Sequence, residues 1–338
     1  MTYFYSAYGL TLTSDSAIPA FRKAHKQLKR PDLVLSFGPE PQWVRDALRL
    51  PCKASRKTAT QDEGDISPFT LTSFGASEFF QLAYEDGARF IVDGAAKRLW
   101  GQYLPPHTFE DAATYLIGPV MGFVLRRRGV MALHASSVCI GGNAVVLCGS
   151  SGSGKSMTAA ALAVRGVPVL AEDISPVIEK KGLLYVQPGH LQVCLWPDAV
   201  ASLFGAAGAL PQLTPNWEKC SLVLDGVRAK FQAEKRPVGI IYLFRPRVHD
   251  ADAPRIEDSG MRDALLELVQ NTYMNWLLDR GQRAAELDDL TRLVRTVAVR
   301  TIVPHADPAR IGKLCELISR DVERLPERQP WSAVDSRP

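Results

Sequence analysis

The sequence predicts an α/β protein in which a P-loop domain follows a β-rich N-terminal module, and three observations carry that expectation. Roughly the first hundred residues alternate short apolar runs with turn residues. The segment Gly149-Ser150-Ser151-Gly152-Ser153-Gly154-Lys155-Ser156 links an apolar run to an alanine-rich helical one, and a second apolar run after that helix ends in the acids Glu172-Asp173. At 338 residues the chain can bury its core without metals or disulfides, and two domains are the default expectation.

Composition excludes several classes. Hydrophobic residues make up 46% and charged residues 22%, close to the soluble average, which argues against disorder and against a membrane protein. A net charge of +4, with Lys and Arg scattered among nearly as many acids, gives no reason to expect a nucleic-acid or membrane partner. The N-terminus lacks the basic and apolar regions of a secretory leader. The most apolar stretch, 112–125, is too short to span a bilayer and contains Gly118, Pro119 and Gly122, so a core helix is expected there. The six cysteines form no Cys-x-x-Cys pair, so no zinc site or disulfide framework is expected, in keeping with a reducing cytoplasm.

Along the chain, 10–13, 33–36, 69–72 and 89–92 read as strands, and the polar run 56–67 as an exposed loop. Thr108, with Asp111 three residues on, opens a helix that Pro119 kinks and Arg126-Arg127-Arg128 closes before Gly129. This helix is expected to be the hinge, giving a β-rich module over 1–107, a catalytic domain over 108–325 and a loose tail over 326–338. Residues 131–137 and 143–148 read as strands joined through Gly141-Gly142, 155–165 as a helix closed by Gly166, and 167–171 as a buried strand. A strand is expected over 238–244 and a helix over 262–280 that stops at Gly281. Asp307-Pro308 opens the last helix, whose buried stripe is Ile311, Leu314, Ile318 and Val322.

The phosphate loop is the strongest chemical signal. Glycines at 149, 152 and 154 let consecutive N–H groups turn around a polyphosphate at a helix N-terminus, Lys155 reaches the β- and γ-phosphates, Ser156 is a magnesium ligand, and Met157 continues the nucleotide-binding run. A P-loop alone does not separate a kinase from an ATPase or a switch. Glu172 and Asp173 are expected at the carboxyl end of a strand beside the loop, where one acid can organise magnesium while the other takes a proton from an attacking hydroxyl. The working division gives the proton to Glu172 and the metal to Ser156 and Asp173. His134, on the strand before the P-loop strand, taken alone is more often a hydrogen-bonded core group than a catalyst.

The order and spacing of His134-Ala135-Ser136-Ser137, Gly141-Gly142, the P-loop, Arg165-Gly166 and Leu170-Ala171-Glu172-Asp173 resemble the catalytic core of the HPr kinase/phosphorylase superfamily. The resemblance implies a P-loop domain of HPr kinase/phosphoenolpyruvate carboxykinase type, ATP and Mg²⁺ as cofactors, His134 near the phosphates, and the acidic pair as base and metal partner. Where that family has Asp-Asp this chain has Glu-Asp, and its Arg-Gly signature segment is replaced by Gln187-Pro188-Gly189-His190-Leu191-Gln192-Val193-Cys194-Leu195-Trp196-Pro197-Asp198-Ala199. That run and Tyr5-Ser6-Ala7-Tyr8-Gly9-Leu10 are similar to the stand-alone HPr-kinase-like proteins of ribosomal-peptide pathways, among them the kinases of lasso-peptide precursors. This implies serine phosphorylation near the C-terminus of a precursor peptide. A small-molecule hydroxyl kinase and a non-catalytic nucleotide-binding regulator stay open, as does a homo-oligomer. Lys219 and Arg245, the latter followed by Arg247, are candidates to hold a phosphate or a peptide carboxylate, although each taken singly reads as surface charge.

Overall fold

The computed structural model describes residues 1–24, 30–58 and 68–325, so the expected tail over 326–338 and most of the expected loop over 56–67 lie outside the described residues. The chain forms a mixed α/β protein with two large sheets in two compact units. The first comprises Met1–Gly129 and Gln212–Glu218, the second Val130–Pro211 and the chain from Lys219 onward. No helix among the described residues is long and apolar enough to cross a membrane.

The first unit is built on nine strands: β1 (Tyr3–Ala7), β2 (Leu10–Ser14), β3 (Arg22–Lys23), β4 (Leu33–Phe37), β5 (Cys52–Lys57), β6 (Phe69–Phe74), β7 (Phe79–Tyr84), β8 (Arg89–Asp93) and β9 (Arg98–Gln102). They lie in the order β3-β1-β2-β4-β9-β8-β7-β6-β5. The four strands read from sequence are all present. The sequence reading missed a short helix, α1 (Gln42–Arg49), whose Val44 and Ala47 are buried, and it placed the start of a loop where β5 runs exposed along the sheet edge.

Thr108 caps α2 (Phe109–Tyr115) through a reciprocal capping box with Asp111. The helix then loosens into a π-turn over Leu116–Val120, where Gly118 leaves helical geometry next to Pro119, and resumes as α3 (Met121–Arg127). A proline has no N–H for the ladder and its ring crowds the preceding turn, which accounts for the break. This helical stretch belongs to the N-terminal unit, so the units divide at Gly129 and Val130 rather than at 107 and 108. The reason lies in its apolar face. Tyr115 stacks on Tyr84 at 3.9 Å, Phe123 meets Phe80 at 5.3 Å, and the Ile117 carbonyl accepts from the Tyr8 hydroxyl. Thr214–Trp217 completes the unit, Asn216 donating to the Asp111 carboxylate at 2.7 Å and Trp217 packing edge-on to Tyr115.

The second unit uses β10 (Met131–Ile140), β11 (Asn143–Cys148), β12 (Val169–Ala171), β13 (Ile174–Lys180), β14 (Leu183–Val186), β18 (Arg236–Phe244), β19 (Arg255–Asp258) and β20 (Ala298–Val303). β15 (Gln192–Leu195) pairs with the Cys220–Val223 end of β17 (Trp217–Val223), whereas β16 (Gln212–Thr214) and the start of β17 belong to the first unit. β11 pairs with both β10 and β18, so the run β11-β10-β13-β14-β18 closes on itself. Alternation sorts the buried side chains. Val145, Leu147, Ile240 and Tyr242 share a core with α4 (Lys155–Ala163), α5 (Pro197–Phe204) and α8 (Ile311–Glu323), while Val146, Ile241 and Leu243 face α6 (Met261–Gln270) and α7 (Arg280–Thr296). Both faces being covered explains why β11 and β18 are continuously apolar.

The expected helix over 262–280 is interrupted. After α6 the chain runs along β10, His134 N–H donating to the Asn271 carbonyl and Tyr273 N–H to the Ala132 carbonyl, both at 2.8 Å. Asp279 and Gln282 then form a capping box for α7, so Gly281 lies in the first turn of a new helix rather than ending the old one.

Candidate functional site

β11 delivers the chain into the candidate phosphate loop after Cys148, where close packing requires glycine. A Cβ on Gly149 (φ 152°) would lie 3.0 Å from the Phe244 Cβ and 3.2 Å from the Phe244 carbonyl oxygen. Gly154 (φ 108°) turns the loop into α4 in a conformation L side chains rarely adopt, leaving the first N–H groups of the helix at the loop. The Lys155 ammonium is folded over the loop, donating to the carbonyls of Gly149 at 2.7 Å and Ser150 at 2.8 Å. The Ser153 N–H also reaches the Ser150 carbonyl, while Ser151 and Gly152 form the loop's outer turn.

Glu172-Asp173 directly follow the end of β12, the strand-end position expected from sequence. β12 and β13 both pair antiparallel with β10, which separates them from β11, and the acids interrupt this run of pairing. The Ile174 N–H bonds back to the Glu172 carbonyl at 2.7 Å around Asp173, whose φ of 62° lies in the left-handed region, making a strained three-residue turn. That turn sends the two neighbouring carboxylates to different partners.

Glu172 accepts the Ser156 hydroxyl at 2.7 Å and lies 3.8 Å from Nε2 of the buried His190. Burial, then the negative charge of Asp173, pushes the Glu172 carboxyl up to about 8, against the pull of the Ser156 bond and of Lys219 and Lys155. Asp173 is 3.3 Å from His134 Nε2 and accepts from the Tyr273 hydroxyl at 3.5 Å. Burial works against its charge too, but the His134 hydrogen bond and the charges of His134, Lys219 and Lys155 outweigh it and hold Asp173 below its ordinary range. Burial pulls His190 down to about 4 although Asp173 opposes it. The carboxylates also differ in access, Asp173 being 31% exposed and Glu172 only 5%.

Lys219 stands 4.9 Å over the half-exposed Trp196 ring, and its charge acts on both acids. Arg245 is instead engaged by Glu267 at 2.5 Å. Arg247, two residues on, is the cation near the loop, a Cβ on Gly154 falling 3.4 Å from its Nη2. The sequence reading did not assign roles to His190 or Tyr273. His190 follows Pro188-Gly189, and Gly189 fits because its N–H bonds the Leu170 carbonyl while its own Cβ position lies 3.1 Å from the Ala171 Cα. Tyr273 reaches Asp173 only through the irregular chain after α6, which leaves no periodic signal.

Hard oxygen donors with an acidic pair suit Mg²⁺. Among the described residues no three His, Cys, Asp or Glu side chains are gathered to hold a metal by themselves, so a cation here needs further oxygens, as a nucleotide phosphate supplies.

No family model matches the chain, and no curated protein matches it. Among solved structures it is similar to an HPr(Ser) kinase/phosphatase from Coxiella burnetii, with 13% sequence identity and a TM-score of 0.29, over 56% of this chain and 89% of that one.

Proposed function

We propose that the chain is a Mg-ATP-dependent kinase that moves the γ-phosphoryl group onto a hydroxyl. The observation that carries this reading is the Ser156–Glu172 hydrogen bond, which ties the acidic pair to the phosphate loop. In this reading the roles of the acids are exchanged relative to the working division. Glu172, buried and joined to Ser156, belongs with the metal, and Asp173 is the carboxylate an acceptor hydroxyl can reach. Bound Mg²⁺ supplies neutralisation of charge on the phosphate oxygens.

Asp173 takes the acceptor's proton as its oxygen bonds to phosphorus and the bond to the departing ADP oxygen breaks. His134 keeps Asp173 ionised and oriented beforehand, and the loop's N–H groups with Lys155 stabilise charge on the transferring group. Lys219, steadied by Trp196, puts a positive charge on the same side for a phosphate or an acceptor carboxylate. The acceptor we favour is a serine near the C-terminus of a ribosomal precursor peptide, a choice supported by the resemblance of residues 5–10 and 187–199 and not by the site geometry.

The test is incubation with γ-labelled ATP and a panel of serine-ending peptides and small hydroxyl compounds, read by mass spectrometry. Asp173→Asn is expected to keep Mg-ADP affinity within a few-fold and lose roughly 10²–10⁴ in transfer, the usual worth of a positioned base. Glu172→Gln is expected to lose transfer and to demand more magnesium. Wild-type transfer rates in both variants would end the kinase reading.

A further inference from the structure

A groove of about 500 Å³ opens between α8 and β19, within the roughly 300–1,000 Å³ typical of ligand sites. Its two walls differ in kind. One is β19, the open edge of the large sheet of the second unit, and the other is a face of α8 that carries Lys313, Leu317, Arg320 and Arg324. Those positions recur at alternating four- and three-residue steps, so they form one stripe about 16 Å long at the helical rise.

The charges in the groove are unevenly spent. On the strand side, Arg255 pairs with Glu257 at 2.6 Å and with Asp250 and Asp252 at 3.5 and 3.6 Å. Arg300 holds Asp321 and reaches Asp258 at 3.5 Å, while the second Asp321 oxygen accepts from the Tyr242 hydroxyl at 2.6 Å. Every acid lining the groove is therefore engaged by these two arginines. The other cations on the helix wall lack such partners. Among the described residues Lys313 and Arg324 form no ion pair or side-chain hydrogen bond. Arg320 has only Glu316 at 3.5 Å, and with the two side chains 68% and 66% exposed that pair is weak.

The strand wall has hydrogen bonds still to make. β19 pairs only with β20, and the Ile302 carbonyl in β20 points the other way, accepting from the Arg245 N–H just after β18. Alternation turns Thr301 and Val303 toward β19, where they stand opposite Glu257 and Arg255. Ile256 and Asp258 consequently present their N–H and C=O groups outward, with no backbone partner among the described residues.

We propose that this groove docks an extended acidic segment of a partner polypeptide, which adds to β19 as a further strand and lays its carboxylates along Lys313, Arg320 and Arg324. Strand addition gives affinity through main-chain hydrogen bonds and selectivity through alternate side chains. The spacings agree. About five extended residues cover 16 Å, and alternate side chains of a strand fall about 7 Å apart, close to the roughly 6 Å rise between Arg320 and Arg324. Leu317, half-buried between Lys313 and Arg320, adds apolar contact. A small polyanion would satisfy the helix wall and leave the strand edge unpaired; an extended acidic peptide satisfies both.

The test is fluorescence anisotropy of the full chain at low salt with a labelled six-residue peptide alternating valine and glutamate. We expect it to bind at least ten-fold more tightly than its valine–lysine counterpart. It should also exceed, by at least ten-fold, the same peptide N-methylated at every internal amide, which keeps the charge and loses the strand's donors. Arg320→Glu and Arg324→Glu should each weaken binding at least ten-fold, whereas Arg49→Glu, at an exposed cation on α1, should leave it unchanged. Asp258→Pro, which deletes an outward N–H, should weaken it at least five-fold in a chain still folded by circular dichroism, and Asp258→Asn should not. Equal binding of the glutamate and lysine peptides, indifference to N-methylation, or equal loss in Arg49→Glu overturns the proposal in favour of undirected charge attraction. No loss in either α8 variant also overturns it. Tighter binding of inorganic triphosphate, or of a peptide of residues 326–338, than of the glutamate peptide overturns it as well, giving the groove to a small anion or to the chain's own end.

Discussion

Glu172 and His190 are buried side by side with opposite protonation consequences, and that sets a pH signature. Glu172 titrates near 4.5 when unfolded and about 8 in the folded, ligand-free chain, so between those values only the folded state keeps the proton and stability falls as pH rises. His190 moves from 6.5 to about 4, so between those values only the unfolded state binds the proton and stability rises with pH. The two slopes offset each other between about 4.5 and 6.5, and the Glu172 loss stands alone from about 6.5 to 8. Urea melts of the ligand-free protein should therefore show stability dropping across that upper window, by up to about 1.4 kcal/mol per pH unit. Glu172→Gln should flatten it; an unchanged slope in that variant would assign the loss to another group. At this scale the sequence was informative about identity and not about geometry. Lys155, Ser156, Glu172, Asp173 and His134 were nameable from motif and order, but the split of the acids between Ser156 and His134 depends on the backbone turn at Asp173, which no spacing rule signals.

Among the elements, Pro188-Gly189-His190 packs closely on β12 just before the acids, the Gly189 N–H bonding the Leu170 carbonyl. Gly189→Ala places a methyl 3.1 Å from the Ala171 Cα, which is strand backbone and cannot swing aside as a side chain could. The substitution should cost about 1–3 kcal/mol by denaturant melts, as overpacking does, and should lower transfer by more than it lowers Mg-ADP binding, because it displaces the acids while sparing the loop. Equal stability and activity would show that β12 can shift. Strands and caps were legible wherever periodicity or a cap residue acted locally, as in β10, β11, Thr108 with Asp111, and Asp307 before α8. The 262–280 stretch was misread because its apolar spacing continues through a segment whose backbone bonds to β10 instead of to itself.

On the scale of the whole molecule, the unit boundary was the least legible feature, since a helix's cap is written locally but the sheet its apolar face covers is not. A chain beginning at Val130 contains every residue of the proposed site and should bind Mg-ADP within about three-fold of full length by calorimetry. Its peptide phosphorylation, followed by mass spectrometry, should fall at least ten-fold if the N-terminal unit chooses the acceptor. Undiminished peptide phosphorylation would remove that role from residues 1–129.

The return of residues 212–218 to the first unit also bears on how the protein is made. Asp111 waits for Asn216, and Tyr115 for Trp217, until more than a hundred further residues have been translated. Synthesis from the N-terminus usually lets the leading domain finish first. Here the leading unit emerges early yet closes late, so its final contacts form only when the ribosome has already delivered the glycine-rich loop 149–156 and both acids.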